Sequence, residues 1–294
     1  MLYLLLSILL NAYLGILFAY FKKYKIDIFQ AIVFNYGICV LTGSIFLGTF
    51  PVQPHILAEP YFRWALAMGF LFISVFNLIG ISSVKVGITI TQTSNKLSFV
   101  IPVLFSYFLY QEQITPIKIA GIAAALIAVL LVSTKPKETK DNPTTHWEYA
   151  LPFVLFVSSG IIDTLTKYVE HTFLTSEAIS NTYLITGFLT AFLIGISVLG
   201  YLFLTGKRTF NYRNLLAGIV LGVPNYFSIY YLVKALQSKA LSSSAIIPIN
   251  NITVLFVVSL FGIFVFNEKL SKLNYIGLIL TIMAILLIFA GDKL

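Results

Sequence analysis

LYQEQITPIKIAG (Leu109–Gly121) and VFNEKLSKLNYIG (Val265–Gly277) are the two stretches on which the reading of this chain turns. Laid over each other without a gap, they match at a glutamate, Glu112 with Glu268, and at a glycine, Gly121 with Gly277, both at a shift of 156 residues. The same shift carries Asn95 onto Asn251. Shared hydrophobicity does not place polar residues and glycines at one constant offset, so the chain reads as an internal duplication.

Both stretches lie among apolar runs of about 20 residues, the length a helix needs to cross a bilayer. Ten runs are expected, at approximately 2–21, 29–50, 64–82, 86–110, 116–133, 149–168, 178–205, 215–233, 244–266 and 274–290. Backbone polar groups find no water in hydrocarbon, so runs of this length form helices that satisfy their own amides and carbonyls. With no basic residue ahead of it and no Ala-x-Ala site behind it, the first run reads as a retained span.

The one long hydrophilic connection is KPKETKDNPTTHW at 135–147. The expected organisation is a first five-helix repeat over 1–134, a linker over 135–148 and a second five-helix repeat over 149–294. An odd number of spans makes the second copy enter the membrane from the opposite side. The fold class is therefore all-α integral membrane, ten transmembrane helices as two inverted five-helix repeats. That plan is used by secondary transporters, whose site lies between the repeats near the midplane.

Composition excludes a soluble enzyme. Of 294 residues, 59% are hydrophobic and 10% charged, with a mean hydropathy of +0.93, where soluble domains carry roughly 25% charge. The formal net charge of +8 sits in short clusters between apolar runs, which points to anionic lipid rather than nucleic acid. Cys39, alone, permits no intrachain disulfide and reads as a small packing residue. His55, His146 and His171 lie in separate connections without metal-ligand spacing. No phosphate loop, HExxH or GxSxG pattern occurs, and no cofactor is expected.

The second half, through YYLVKALQSKALSSSAIIPI (Tyr230–Ile249) and LFGIFVFNEKLSKLNYIGLILTIMAILLIF (Leu260–Phe289), resembles the EamA type of the drug/metabolite transporter superfamily. In the first half the hinge (Glu112, Pro116, Gly121) is recognisable, the Ala-Leu element is degraded to NLIGISSVKVG (Asn77–Gly87), and the proline sits later, at Pro102. The resemblance implies ten helices, of which the first four of each repeat surround a central cavity and the fifth packs outside. Members export amino acids, drugs or metabolites, or exchange sugars or phosphates.

Charges at membrane depth cost about 2.5 to 3.5 kcal/mol each on insertion scales, so those retained mark a pathway or a partner. Lys96 shares a helical face with Thr89, Gln92 and Phe99, with Asn95 beside it. It either faces a cavity or snorkels to the near interface. Asp163 precedes Lys167 by four residues, with Glu170 beyond, so it is either half of a helical ion pair or a group that binds a substrate amine or a proton. Asn250 and Asn251 follow Pro248, whose missing amide loosens the helix. Asn95 and Asn251 are expected to face each other across the pseudo-two-fold axis, or else to serve as interhelical hydrogen-bonding groups. Tyr183, Asn225, Tyr226 and Tyr230 are candidate cavity residues, and Pro102 and Pro248 candidate hinges. Glu112 and Glu268 are expected to cap the helices that follow them.

The function expected is secondary transport, by export or exchange, of a small polar metabolite such as an amino acid. It would run by alternating access and be driven by protons or a counter-substrate. An intramembrane enzyme and a channel are the rival readings. The expected setting is the inner membrane of a bacterium, with a small-molecule substrate and membrane lipid as partners, no nucleic acid, and a monomer or homodimer. Six Lys and Arg fall on the side of the termini and twelve on the other, which puts the termini outside by the positive-inside rule; the resemblance implies cytoplasmic termini, and the two indications disagree.

Overall fold

Short polar residues open the helices. Asp27 accepts the amides of Phe29 and Gln30, Ser176 that of Ile179, and Asn211 that of Arg213; Thr115 accepts from Lys118 N and Ser271 from Asn274 N. Each satisfies donors that the first helical turn leaves free. The computed structural model describes residues 1–85, 88–112, 114–132, 150–266 and 271–293, without the side chains at 18, 19, 22, 23, 83–85, 88–90, 92, 93, 132 and 262–266.

The described residues form α1 (Leu2–Lys23), α2 (Ile28–Leu47), a 3-10 turn (Pro54–Ala58), α3 (Phe62–Lys85), α4 (Ile88–Leu97), α5 (Val100–Tyr110), α6 (Pro116–Val132), α7 (Ala150–Phe173), α8 (Glu177–Leu204), α9 (Tyr212–Gln237), α10 (Ser243–Phe266) and α11 (Lys272–Lys293). Among them, α2, α3, α7, α8, α9, α10 and α11 contain stretches long and apolar enough to cross a membrane, and α1 and α6 hold the shorter apolar stretches Leu2–Leu17 and Pro116–Leu131. The outward faces carry large apolar side chains, among them Ile45, Phe70, Phe108 and Leu204, as a surface in lipid requires.

Two expected runs are corrected. The run at 86–110 is not one helix but α4 and α5, parted at Ser98 and Phe99. Pro102 has no amide for the Ser98 carbonyl and its ring crowds that carbonyl; the Ser98 carbonyl instead takes the Ile101 amide, and the Ser98 hydroxyl bonds the Asn95 carbonyl at 2.6 Å. The run at 149–168 continues to Phe173, which places Asp163 near the middle of α7 and brings Lys167 and Glu170 inside the helix.

Close contacts set the helix directions. Gly218 lies against Ala31, Phe34 and Asn35, and Gly222 against Asn35 and Ile38, so α2 and α9 run parallel. Gly69 meets Gly187 and Thr190 while Gly195 meets Ile73, so α3 and α8 also run parallel. α6 and α11 are antiparallel: Thr115 bonds the Gly291 carbonyl at 2.8 Å, and Asn274 bonds the Leu131 carbonyl at 2.9 Å. A Cβ on Gly121 would come within 2.8 Å of the Ile288 amide, so the two backbones nearly touch, the small-residue contact typical of helices in lipid. Both ends of the described chain lie beside the α9–α10 connection, where Met1 and Leu4 adjoin Ala240 and Leu241 and Asp292 adjoins Ser242. This end is the terminal face.

The largest core cluster joins α2, α3, α8 and α9 around Tyr36, Phe72, Phe188 and Tyr226. A second joins α1, α5, α10 and α11. α4 and α7 meet α10 beside this second cluster, and Lys96 and Asp163 lie there.

Candidate functional site

Lys96 stands in the last turn of α4, just before the break that Pro102 imposes. Its ammonium donates to Asn251 Oδ1 on α10 at 3.3 Å, and Asn251 Nδ2 donates to Asp163 Oδ2 on α7 at 3.0 Å. One amide thus bridges a cation and a carboxylate from three helices. Asn251 is buried, while Lys96 and Asp163 each keep accessible surface. Two of lysine's three donors and most of the carboxylate's lone pairs are left over from this bridge.

The next residue, Asn250, accepts from Ser7 on α1 at 3.3 Å, and Ser7 also bonds the Ser228 carbonyl at 2.9 Å. Ser228 Oγ bonds the Asn225 carbonyl at 2.8 Å, and Asn225 Nδ2 donates to Asn35 on α2 at 3.2 Å. Cys39 Sγ lies 3.3 Å from the Gly222 carbonyl at the end of this seam. A polar line therefore runs across the bundle from α4 and α7 through α10, α1 and α9 to α2. Neutral interhelical hydrogen bonds in lipid average about 0.6 kcal/mol, whereas a charge at depth costs several times that. Stability accounts for the neutral members of the line and leaves the charged pair to be explained by something else.

Several sequence expectations find different partners. Lys167 pairs with Glu170 at 2.9 Å rather than with Asp163, and its ammonium lies 5.6 Å from the Tyr110 ring. Asn251 meets Lys96 and Asp163 in place of Asn95; Asn95 is half-buried, and its carbonyl holds Ser98. Tyr226 donates to Asn181 at 3.2 Å, and Tyr183 packs its ring against Tyr61 with a buried hydroxyl that has no hydrogen-bond partner among the described residues. Neither touches the charged pair through a hydrogen bond. α10 runs unbroken through Pro248. The Gln92 side chain and Glu268 lie outside the described residues.

Glu112 caps a helix, but not the one after it. Its carboxylate accepts from Ser243 Oγ at 2.5 Å and from the amides of Ser243 and Ser244 at 3.3 and 3.0 Å, closing the first turn of α10 across the bundle, while Thr115 serves α6. Burial alone would raise this carboxyl, and the hydrogen bonds from Ser243 and Ser244 outweigh it and hold it below the ordinary glutamate value. Beside it the buried Lys118 pairs with Asp292 at 2.5 Å and donates to Ser242 at 2.7 Å, and Glu177 takes the Tyr230 hydroxyl and pairs with Lys234 at 2.9 Å. These contacts close the terminal face.

Ser7, Asn35, Lys118 and Asp292 were not singled out in the sequence. For Ser7 a signal existed, since the 156-residue shift takes it onto Asp163. For the other three only the fold supplies a reason.

The EamA-like transporter family model matches residues 146–290. An uncharacterised protein of Haemophilus influenzae is 31% identical over 295 residues, covering 98% of this chain and 97% of that protein. The glucose uptake protein GlcU of Staphylococcus xylosus is 27% identical over 224 residues, 73% of this chain and 69% of that protein. A solved crystal structure superposes with a TM-score of 0.75 over 99% of this chain and 96% of its own at 15% identity, a likeness of fold alone. With its second half matched by that model, and with helices built to lie in a bilayer, this chain belongs to the EamA-like transporter family of membrane proteins.

Proposed function

We propose that the chain is a secondary transporter that moves a small polar metabolite by alternating access, with two five-helix halves rocking around Lys96, Asn251 and Asp163. The observation that carries this is the bridge itself, in which a lysine of the first half and a carboxylate of the second meet at one amide at membrane depth. A substrate bearing hydrogen-bonding or charged groups replaces Asn251 as the partner of one or both, so binding and the relative position of the halves are coupled. The antiparallel packing of α6 against its counterpart α11 supports an inverted repeat, because five spans per copy reverse the direction of every counterpart.

Small polar metabolites include amino acids and, on the likeness to a glucose uptake protein, sugars. Protons or a counter-substrate supply the energy, and the setting is a bacterial inner membrane. The test is counterflow in proteoliposomes loaded with each candidate solute. Saturable uptake of tracer against a preloaded pool, lost in Lys96→Met, is the expected result. Flux that stays linear in concentration and needs no solute on the far side would make the protein a channel and overturn the carrier.

A further inference from the structure

At the end of the bundle opposite the terminal face, the α1–α2 and α8–α9 connections enclose a recess of about 300 Å³ lined by Lys25, Asp27, Gln30, Arg208, Thr209, Asn211 and Asn214. We propose that this recess binds the phosphate of an anionic phospholipid and so ties the two halves of the protein together at that face.

The argument is a balance of donors and acceptors. The carboxylate in the recess is consumed: Asp27 Oδ1 accepts from Phe29 N, Gln30 N and Arg208, and Oδ2 from Gln30 Nε2 at 3.2 Å. Gln30 spends its other donor on the Thr209 carbonyl at 2.9 Å and its oxygen on Asn214 Nδ2 at 3.1 Å, while Asn214 Oδ1 takes the Asp27 amide at 3.0 Å. Asn211 Oδ1 caps α9. Each of these carboxylate and side-chain amide oxygens already holds a donor. Among the described residues, what remains are donors: the three of the exposed Lys25 ammonium and the guanidinium N–H groups that Arg208 does not give to Asp27. A recess with spare donors and no spare carboxylate suits an anion with several oxygens, and the arginine fork fits phosphate geometry.

Depth names the source of that phosphate. Tyr24, Tyr201, Phe210 and Tyr212 stand exposed around these connections, and the Lys207 and Arg213 side chains lie over the rings of Tyr201 and Tyr212 at 5.7 and 6.0 Å. Exposed aromatics with snorkelling basic residues mark the headgroup level of a bilayer. Lipid phosphate is the abundant anion there. Lys25 belongs to the first half and Arg208 to the second, and the glycine-tight α2–α9 contact begins directly beneath them, so one headgroup spans the seam.

The experiment uses the intact purified chain in neutral detergent. The midpoint of thermal unfolding is followed with added phosphatidylglycerol, with phosphatidylcholine and with inorganic phosphate, each at the same phosphate concentration. Phosphatidylglycerol is expected to raise the midpoint and the other two to leave it in place, because a ligand that binds only the folded state stabilises by mass action. Lys25→Gln, which removes no ion pair among the described residues, is expected to weaken the effect about fivefold in apparent affinity. Arg208→Lys, which keeps a charge opposite Asp27 but loses the fork, is expected to weaken it as well. Equal stabilisation of parent and Lys25→Gln would mean that the lipid acts over the surface at large, and an equal effect of inorganic phosphate would make this a soluble-anion site; either result overturns the proposal.

Discussion

At the scale of single residues, the informative fact is that Asp163 and Lys96 meet through Asn251 and that Lys167 is occupied by Glu170. Removing Lys96 alone leaves a carboxylate at depth beside a neutral amide, and breaking a buried charge pair from one side costs about 3 to 5 kcal/mol. Lys96→Met is therefore expected to fold less well than the parent, and Lys96→Met with Asp163→Asn to recover stability without recovering counterflow. Thermal unfolding and tracer uptake on the same preparations check this. A double variant that transports like the parent would show the pair to be structural.

Sequence reasoning reached both charges, since a charge inside an apolar run is conspicuous. It offered Lys167 as the partner in one of two readings of Asp163 and gave no means of naming Asn251, because spacing of i and i+4 reports neighbours on one helix and is blind to a neighbouring helix that comes closer.

At the scale of helices, glycines decide how near the two halves lie. A Cβ on Gly222 would stand 2.5 Å from Ile38 and 2.8 Å from the Asn35 carbonyl, whereas one on Gly200 meets nothing within 4 Å. Gly222→Ala is expected to destabilise by about 1 to 3 kcal/mol through forced separation of α2 and α9. Gly200→Ala is expected to be neutral or slightly stabilising, by up to ~1 kcal/mol from helix propensity. Unfolding of the two variants side by side makes the comparison.

The Glu112 clamp on α10 belongs to the same scale and carries a pH dependence. Its carboxyl is held below the ordinary value of 4.5 in the folded protein, so its contribution is fully present above that value and is lost as pH falls through the lower folded-state value. Stability of the parent is expected to drop on acidification below about pH 4.5 by a part that Glu112→Gln lacks, which the difference between their pH profiles measures. That Glu112 caps a helix was legible in the sequence. The helix it caps was not, because a short loop constrains where the backbone goes and leaves the side chain free to turn toward donors 131 residues away.

At the scale of the whole molecule, the seam between α2 and α9 joins the two halves, and Cys39, the one cysteine, is buried in it. If alternating access parts these helices, maleimide labelling of Cys39 is expected to be slow in the resting protein and faster during exchange of a transported solute. A rate indifferent to turnover would place the moving seam elsewhere, for instance at α4, where Pro102 has already divided the span.

Composition and run length by themselves determined that this chain is helical and lies in a membrane, because in hydrocarbon a backbone has no other way to satisfy its amides. The constant 156-residue shift is likewise a property of the sequence alone, and it is what an internal duplication is proposed on. Only the tertiary structure decided which side chains meet. Asp163 and its amide partner are 88 residues apart and Lys96 and the same amide 155 apart, and such contacts follow from how glycine-lined helices pack, a property of pairs of helices that no single stretch of sequence carries.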